Sequence, residues 1–445
     1  MRQTLFHVPE TFFGLPLFGW GLALGLLVLV VILSHVYQYA THRKISDLGS
    51  SLGLLAIGGA LLVFVIPNLA VPGLGIPIQG YGTLLVVAIF AAFFLVRHLA
   101  KRQGIPNEQI YGLCVWTVIV GIICARLFYV VQYWEEMLSF DSRSGELLLR
   151  ESALNIVNFA QGGLVVFGSI LGGILAALVF MLWNKMPVLR TFDSMAPAAA
   201  LGMAVGRIGC LLNGCCFGGV TDAPWKVYFP PGSPAHVHQI AHGDVFLYGL
   251  KFEETTIGGR QVLAIAEVQP NSEAETFGLT PYMLLRNVWL LEDGVLVPYI
   301  IQSRRDAARL LSSLQRTMPD EPVQFDFFTP SAPLASYYLT PGTLEVLPVH
   351  PTQIYSSILA LLLCGTLLLL GRLQFYQRRA GLVLASFMVL YSVGRFCIEF
   401  IRTDEGAMFG TGLTISQNVS IVFCLVGIAL FVYLCKNESR VCSAG

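Results

Sequence analysis

Long uncharged apolar runs fill most of this chain, separated by short basic or mixed clusters and by one polar interval. The runs predict nine membrane spans, near 15–38, 52–71, 80–98, 111–132, 162–183, 194–212, 352–371, 380–400 and 414–435. Each reaches the roughly 18 residues that a bilayer-crossing helix needs. The first follows a mostly uncharged N-terminus and is too long for a signal-peptide core, so it reads as a retained helix. Its opening, L-P-L-F-G-W-G-L-A-L, is similar to the opening of the third run, I-P-I-Q-G-Y-G-T-L-L. Two ordinary helix starts explain that similarity as well as an internal repeat does.

Between spans six and seven the pattern changes to strand-like alternation, over residues 235–345. Gln261–Val268 reads as a strand, and Glu292-Asp293-Gly294 as a hairpin turn between Val288–Leu291 and Val295–Val297. Ser303 and Asp306 begin a helix with Ala307, Leu310, Leu311 and Leu314 on its apolar face, and Val323–Phe328 is a closing strand. The order of these elements, with the phrase V-Q-P-N-S-E-A-E-T-F-G-L, resembles a bacterial PDZ domain, although no peptide-binding glycine loop precedes the first strand. A structural cap is the plainer reading of the same interval. The expected fold class is therefore an all-α polytopic membrane protein of about nine transmembrane helices with an inserted mixed α/β, PDZ-like, extracytoplasmic domain. The expected divisions are two additional N-terminal helices (1–75), a membrane core in two parts (76–234 and 346–436), the insert (235–345) and a tail (437–445).

Composition agrees. The chain is 55% hydrophobic and only 12% charged, against roughly a quarter charged in soluble domains, and its mean hydropathy is +0.69. Zero net charge gives no reason to expect nucleic acid. Cys114, Cys124, Cys364, Cys397 and Cys424 sit singly in apolar runs, as free cysteine does when it acts as a small hydrophobe, and no disulfide framework is visible. Basic clusters at 42–44, 97–102, 185–190, 372–379 and Lys436 fall on one side if the N-terminus is outside. The positive-inside rule then puts the C-terminus in the cytoplasm and the insert outside a bacterial cytoplasmic (inner) membrane.

That orientation collects the intramembrane polar residues near the outer ends of their spans: Tyr81, Arg126, Gln161 with Gly162 and Gly163, Arg207, Asn213, His350, Gln353, Tyr355, Arg395, Glu399, Arg402 and Gln417. Arg395, Glu399 and Arg402 share one helix face by their i, i+4, i+7 spacing. If the spans bundle there, four arginines meet one glutamate, and an anion is needed for balance. Arginine's fork of donors suits a phosphate, and a phospholipid headgroup lies at that depth. Bland readings stand beside this one: Arg126 and Arg402 as snorkelling side chains, Arg395–Glu399 as a structural ion pair, His350 as a cap, and the glycines as packing positions. Cys210, Cys215 and Cys216 have a C-x4-C-C spacing unlike the C-x2-C of a structural zinc site. Small-residue packing is their first reading, a redox pair with Cys210 the second, and a metal site the third.

Seven segments, in order, resemble the bacterial prolipoprotein diacylglyceryl transferases: I-Q-G-Y-G (78–82), A-R-L-F-Y (125–129), G-G-L-V-V-F-G-S-I-L-G-G (162–173), D-S-M-A-P (193–197), G-R-I-G-C-L-L-N-G-C-C-F-G (206–218), H-P-T-Q-I-Y (350–355) and G-R-F-C-I-E-F-I-R (394–402). The resemblance spans runs three to nine and omits the insert and the first two helices. It implies transfer of the diacylglyceryl group of phosphatidylglycerol to the lipobox cysteine of a preprolipoprotein, forming a thioether and releasing glycerol phosphate. It also implies that Arg207 contacts the lipid phosphate, that Arg395 and Glu399 form an essential pair, and that Tyr81 and Gly218 fill the family's tyrosine and closing-glycine positions. With the clustering, Arg207, Arg395, Glu399, His350 and Tyr81 are the expected catalytic residues. Arg207, Asn213, Gly218, Arg126, Gln353 and Arg402 are the expected substrate-binding residues, with membrane lipids around them and no cofactor or metal. Departures from the family pattern are Phe167 where a histidine often stands, Cys210 and Cys215 where asparagine and glutamate are usual, and Ser356 after H-P-T-Q-I-Y. These leave the proton acceptor open between His350 and Glu399. They also keep a second reading alive, a lipid-binding or scaffolding protein of the same fold.

Overall fold

The computed structural model describes residues 4–12, 14–18, 20–42, short stretches between 55 and 70, 74–138, 148–157, 165–257, 260–292, 295–299, a few positions from 301 to 310, 322–328, 334–340, 345–403, 407–408 and 410–441. Eight of the twenty residues of the expected 52–71 span lie outside these residues. So do Gln161, Gly162, Gly163, the 293–294 turn and most of the expected helix at 303–314. The described chain divides into two units, one of residues 4–83 and 90–198, the other of 84–89 and 199–445.

In the first unit the N-terminal run differs from expectation. β1 (Thr4–Val8) pairs antiparallel with β2 (Ile76–Gln79), and α1 begins only at Leu22 and runs to His42. The apolar residues from Leu15 to Leu24 read as helix because hydropathy cannot see the small hairpin of 11–12 with 15–16 that occupies their start. Next come α2 (Gly80–Arg102), α3 (Asn107–Gln132), α4 (Leu149–Val157) and α5 (Val166–Trp183). α3 and α5 pack closely because α5 presents glycines. A Cβ on Gly168 would lie 2.7 Å from the Cys124 carbonyl oxygen, and one on Gly172 would lie 2.3 Å from the Cys124 Cβ. Small residues permit such backbone approach in lipid, where no hydrophobic force drives helices together. Ile110, Leu113, Ala177 and Met181 form the buried seam.

α6 (Val188–Asn213) leads from one unit to the other. In the second unit follow α7 (Pro234–His242), the insert, α8 (Thr352–Leu370), α9 (Leu382–Glu399) and α10 (Ile415–Val441). The insert holds β3 (Leu250–Ile257), β4 (Arg260–Val268), β5 (Leu284–Glu292), β6 (Val295–Tyr299), β7 (Val323–Phe328) and β8 (Ala335–Leu339). They form one antiparallel sheet in the order β8-β7-β5-β4-β3, with β6 paired to β5. The expected strands at 261–268 and 323–328 and the 288–297 hairpin are present; β5 and β6 close with Glu292 opposite Val295. Leu263, Ile265, Val288, Phe325 and Phe327 make the core of the insert.

Six of the described helices are long and apolar enough to cross a membrane: α2, α3, α6, α8, α9 and residues 415–436 of α10; shorter apolar helices lie at 22–33 and 167–183. Their outward side chains are apolar. Leu175 is 63% exposed and Leu425 62%, a surface that fits lipid and that a water-soluble protein avoids. The protein is a multi-pass membrane protein.

Candidate active site

The site is assembled in the second unit where the C-terminal ends of α6 and α9 meet the N-terminal ends of α8 and α10. α6 stops because Gly214 turns left-handed (φ +76°), with its N–H bonded to the Cys210 carbonyl at 2.9 Å. Cys216 is left-handed too (φ +58°), and the loop folds back under α8. There Thr352 Oγ1 donates to the Cys216 carbonyl at 2.6 Å, and Gln353 Nε2 to the Cys215 carbonyl at 2.7 Å. Deeper, Ser357 Oγ donates to the Ala204 carbonyl at 2.8 Å. Thr352 and Gln353 thus satisfy carbonyls just past the helix end, and Ser357 ties α8 to the body of α6.

Gly218 is the crossing point of three segments. Its N–H bonds to the His350 carbonyl at 3.0 Å, and Gly219 N–H to the Ile401 carbonyl at 2.9 Å. A Cβ on Gly218 would stand 2.8 Å from both the His350 Cβ and the Thr352 Cγ2. This closeness is why the position carries no side chain.

Glu399 is buried and fully committed. It forms an ion pair with Arg395 on its own helix face, lies 3.7 Å from Arg402 Nε, and accepts from Thr414 Oγ1 at 3.1 Å. Arg395 also donates to Ser416 Oγ at 2.8 Å. Thr414 caps α10 reciprocally with Gln417: the Gln417 N–H reaches Thr414 Oγ1 at 3.2 Å, and the Thr414 N–H reaches Gln417 Oε1 at 3.1 Å. Ser416 and Thr414 were not singled out from the sequence, although the T-I-S-Q capping box announces this helix start.

Arg207, half-buried on α6, is different. No hydrogen bond or ion pair to its guanidinium occurs among the described residues. It lines a cavity of about 210 Å3 together with Arg395, Tyr391, Leu359, Leu363 and Ile398. Two cations therefore border a space whose remaining wall is largely aliphatic. His350 Nδ1 lies 3.2 Å from the Tyr355 hydroxyl, which accepts from Trp225 Nε1 at 2.6 Å. Trp225 was missed because an isolated loop tryptophan carries no spacing signal.

α7, read from sequence as the start of the insert, ties the site together. Gln239 bonds Leu347 at both ends (Nε2 to its carbonyl at 2.8 Å, its N–H to Oε1 at 3.1 Å), and His238 Nε2 lies 3.2 Å from the Thr403 carbonyl. His236 Nδ1 accepts from the Gly232 N–H at 3.0 Å, and burial holds this histidine below its usual pKa.

The remaining expected residues are placed as follows. Asn213 ends α6, and its side chain is half-buried. Tyr81 is the second residue of α2 and Arg126 lies on α3, both in the first unit. The Arg126 guanidinium donates to the carbonyls of Ile156 at 2.9 Å and Asn155 at 2.5 Å and covers the Tyr129 ring at 5.2 Å. The sulfurs of Cys210, Cys215 and Cys216 all lie within 4.8 Å of one another.

Fold and cluster define a class: a polytopic membrane protein with a buried, arginine-rich polar site at one end of its helices. The model of one family, prolipoprotein diacylglyceryl transferase, matches residues 68–433. The chain belongs to that family. It is similar to a phosphatidylglycerol--prolipoprotein diacylglyceryl transferase of Rhodopirellula baltica, 33% identical over 457 residues that cover 95% of this chain and 87% of the relative. The protein of the same name in Synechococcus elongatus is 27% identical over 360 residues, covering 80% of this chain and 83% of its own. That of Acaryochloris marina is 38% identical over 154 residues, covering 35% of this chain and 52% of its own.

Proposed function

We propose that this protein transfers the diacylglyceryl group of phosphatidylglycerol to the lipobox cysteine of preprolipoproteins, the first step of lipoprotein maturation. Family membership supports the reaction, and one geometric observation supports its location: the guanidinium of Arg207 beside Arg395, on a cavity whose remaining wall is mostly aliphatic. A phospholipid has that polarity, an anionic phosphodiester joined to hydrocarbon. As the C–O bond to phosphate breaks, charge grows on the leaving oxygen, and cations already in place lower that barrier.

In this scheme Arg207 and Arg395 hold the phosphate, and Arg402 and Glu399 fix Arg395. Because Glu399 is engaged by two arginines and a threonine hydroxyl, it acts as an anchor. In the tautomer that carries its proton on Nδ1, 3.2 Å from the Tyr355 hydroxyl, His350 presents Nε2 as the acceptor for the thiol proton. Asn213, Gln353 and Gly218 shape the loop that borders the site. Tyr81, at the family's tyrosine position, is assigned to catalysis, and Arg126 to substrate binding. We further assign nine spans, an outside N-terminus, a cytoplasmic C-terminus and an extracytoplasmic PDZ-like insert within 235–345 that meets the preprolipoprotein near its lipobox. The membrane core is 76–234 with 346–436, preceded by two additional helices in 1–75 and followed by the tail 437–445.

The test is thioether formation on a lipobox peptide from phosphatidylglycerol by the full chain in detergent. Arg207→Ala is expected to lower the rate by roughly 10²–10³-fold, the scale of losing one transition-state donor. Undiminished transfer by Arg207→Ala would overturn the phosphate assignment. No transfer by the well-folded unmutated chain would favour a lipid-binding scaffold instead.

A further inference from the structure

We propose that Cys210, Cys215 and Cys216 form a three-thiolate site for a zinc-class divalent metal ion, whose remaining coordination position takes the cysteine thiol of the peptide substrate. The inference rests on the transferase reading above and deepens it.

Geometry is the first support. A four-coordinate zinc with bonds of about 2.3 Å places its sulfur ligands roughly 3.8 Å apart. The three sulfurs here are already within 4.8 Å of one another, so side-chain shifts of under about an ångström close the shell. The backbone holds them there. Gly214 and Cys216 both adopt left-handed conformations that return the loop to Cys210, and Thr352 and Gln353 pin the carbonyls of Cys216 and Cys215. A cysteine held left-handed is strained, which small-residue packing gives no reason to retain.

The count of three argues against a structural zinc site, because such sites are closed by four ligands. Three protein ligands are the pattern of catalytic sites, which keep a position open. No fourth histidine, cysteine or carboxylate joins the three among the described residues. Beside them Gln353 is completely buried. Its Nε2 is bound to the Cys215 carbonyl, while its Oε1 has no partner among the described residues. That oxygen is an acceptor waiting for a donor at the cluster, such as an incoming thiol or a bound water.

Charge agrees. Arg207 and Arg402 both act electrostatically on Cys216. Arg207, Arg395 and Arg402 against Glu399 leave two net positive charges. A divalent ion with three thiolates contributes one negative charge and a phosphodiester another, so the site is neutral before the peptide thiolate binds.

The chemistry fills a gap. By motif position, Phe167 and Cys215 stand where the family pattern implies a histidine and a glutamate, groups able to handle a proton. A thiol bound to a divalent metal is deprotonated outright, and the thiolate is the nucleophile. The peptide S–H gives its proton to water or to His350 Nε2. Its sulfur forms the bond to the glyceryl carbon while the C–O bond to phosphate breaks, and that electron pair leaves on the phosphate oxygen. The metal keeps its oxidation state, so no oxidant or reductant is needed.

The test uses the full chain in detergent, purified reduced and metal-free, then given zinc or cobalt(II) alone. About one equivalent should remain bound after desalting, and cobalt should show thiolate charge-transfer absorption. That absorption should change on adding a lipobox peptide and stay unchanged with the same peptide carrying serine for cysteine. Cys210→Ser/Cys215→Ser/Cys216→Ser should bind no metal, with its melting curve as the check of folding; the titration of the unmutated chain stands without it. Removal of the metal should lower thioether formation by about a hundredfold or more. Absence of binding, a cobalt spectrum indifferent to the peptide thiol, or a disulfide within the trio as the active form would each overturn the proposal. Full transfer by metal-free protein would overturn it while leaving the transferase reading intact. Metal and thiol binding without any transfer from phosphatidylglycerol would support the metal site and sink the transferase reading.

Discussion

Glu399 and Gly218 show how little freedom single positions have in this site. Glu399→Gln removes the buried carboxylate charge that pairs with both Arg395 and Arg402. Breaking a buried pair from one side costs about 3–5 kcal/mol. The variant is therefore expected to melt at a clearly lower temperature as well as to lose transfer. Retained melting temperature with lost transfer would assign Glu399 to proton chemistry in place of anchoring. Gly218→Ala introduces a methyl 2.8 Å from two side-chain carbons and 3.0 Å from the Ile401 carbonyl. Overpacking of this kind costs about 1–3 kcal/mol. Because the strain falls between the signature loop and the His350 segment, transfer should fall further than stability does, which a melting curve beside a rate measurement will show.

At the scale of elements, the apolar runs and helix starts were legible because burial in lipid imposes length, and capping imposes residue type. α8 and α9 begin and end within a few residues of expectation, α10 begins there and runs on to Val441, and the Arg395–Glu399 pair follows from helix spacing alone. What the sequence concealed are contacts whose partners are far apart in the chain. The pairing of Thr4–Val8 with Ile76–Gln79 is one, and the link from Gln239 to Leu347 is another. Backbone groups carry the first and are the Leu347 partners of the Gln239 side chain in the second, and backbone groups leave no mark on composition. The role of α7 follows from the same blindness, because a nine-residue polar helix reads as part of the domain that follows it. Its buried His236 supplies a pH test. Burial disfavours the charged imidazole, so the folded pKa lies below the unfolded value and stability is full above the usual histidine range. As pH falls below about 6.5, the unfolded chain takes up the proton first and the α7 platform weakens. His236→Gln should flatten this loss of melting temperature between neutral and mildly acidic pH; an unchanged slope would show that His236 does not control it.

Across the whole molecule, the insert and the membrane core obey different physics, and their stabilities should separate. The core relies on close helix packing in lipid, while the insert has a water-excluding centre of Leu263, Val288, Phe325 and Phe327 and one buried carboxylate at its sheet. Asp326 accepts from Trp289 Nε1 at 2.5 Å, Ser336 Oγ at 2.6 Å and Gln324 Nε2 at 3.2 Å. Burial pushes its pKa up, but the hydrogen bonds from Ser336, Trp289 and Gln324 outweigh it and hold the carboxyl below the usual range. Its contribution is thus complete above the unfolded carboxylate pKa and is lost only as pH falls through the lower folded value. Asp326→Asn turns an acceptor-only group into one that presents a donor to the same donors, at a cost of about 1–3 kcal/mol. The expected result is a lower midpoint for the insert's unfolding, followed by tryptophan fluorescence, with rates on a short lipobox peptide unchanged. Transfer to a full-length preprolipoprotein separates two roles for the insert. A domain that recognises the substrate predicts that Asp326→Asn selectively weakens transfer to long substrates near the unfolding midpoint. A domain that only covers the site predicts equal loss on short and long substrates, because exposure of the membrane core does not depend on what the peptide carries beyond its lipobox.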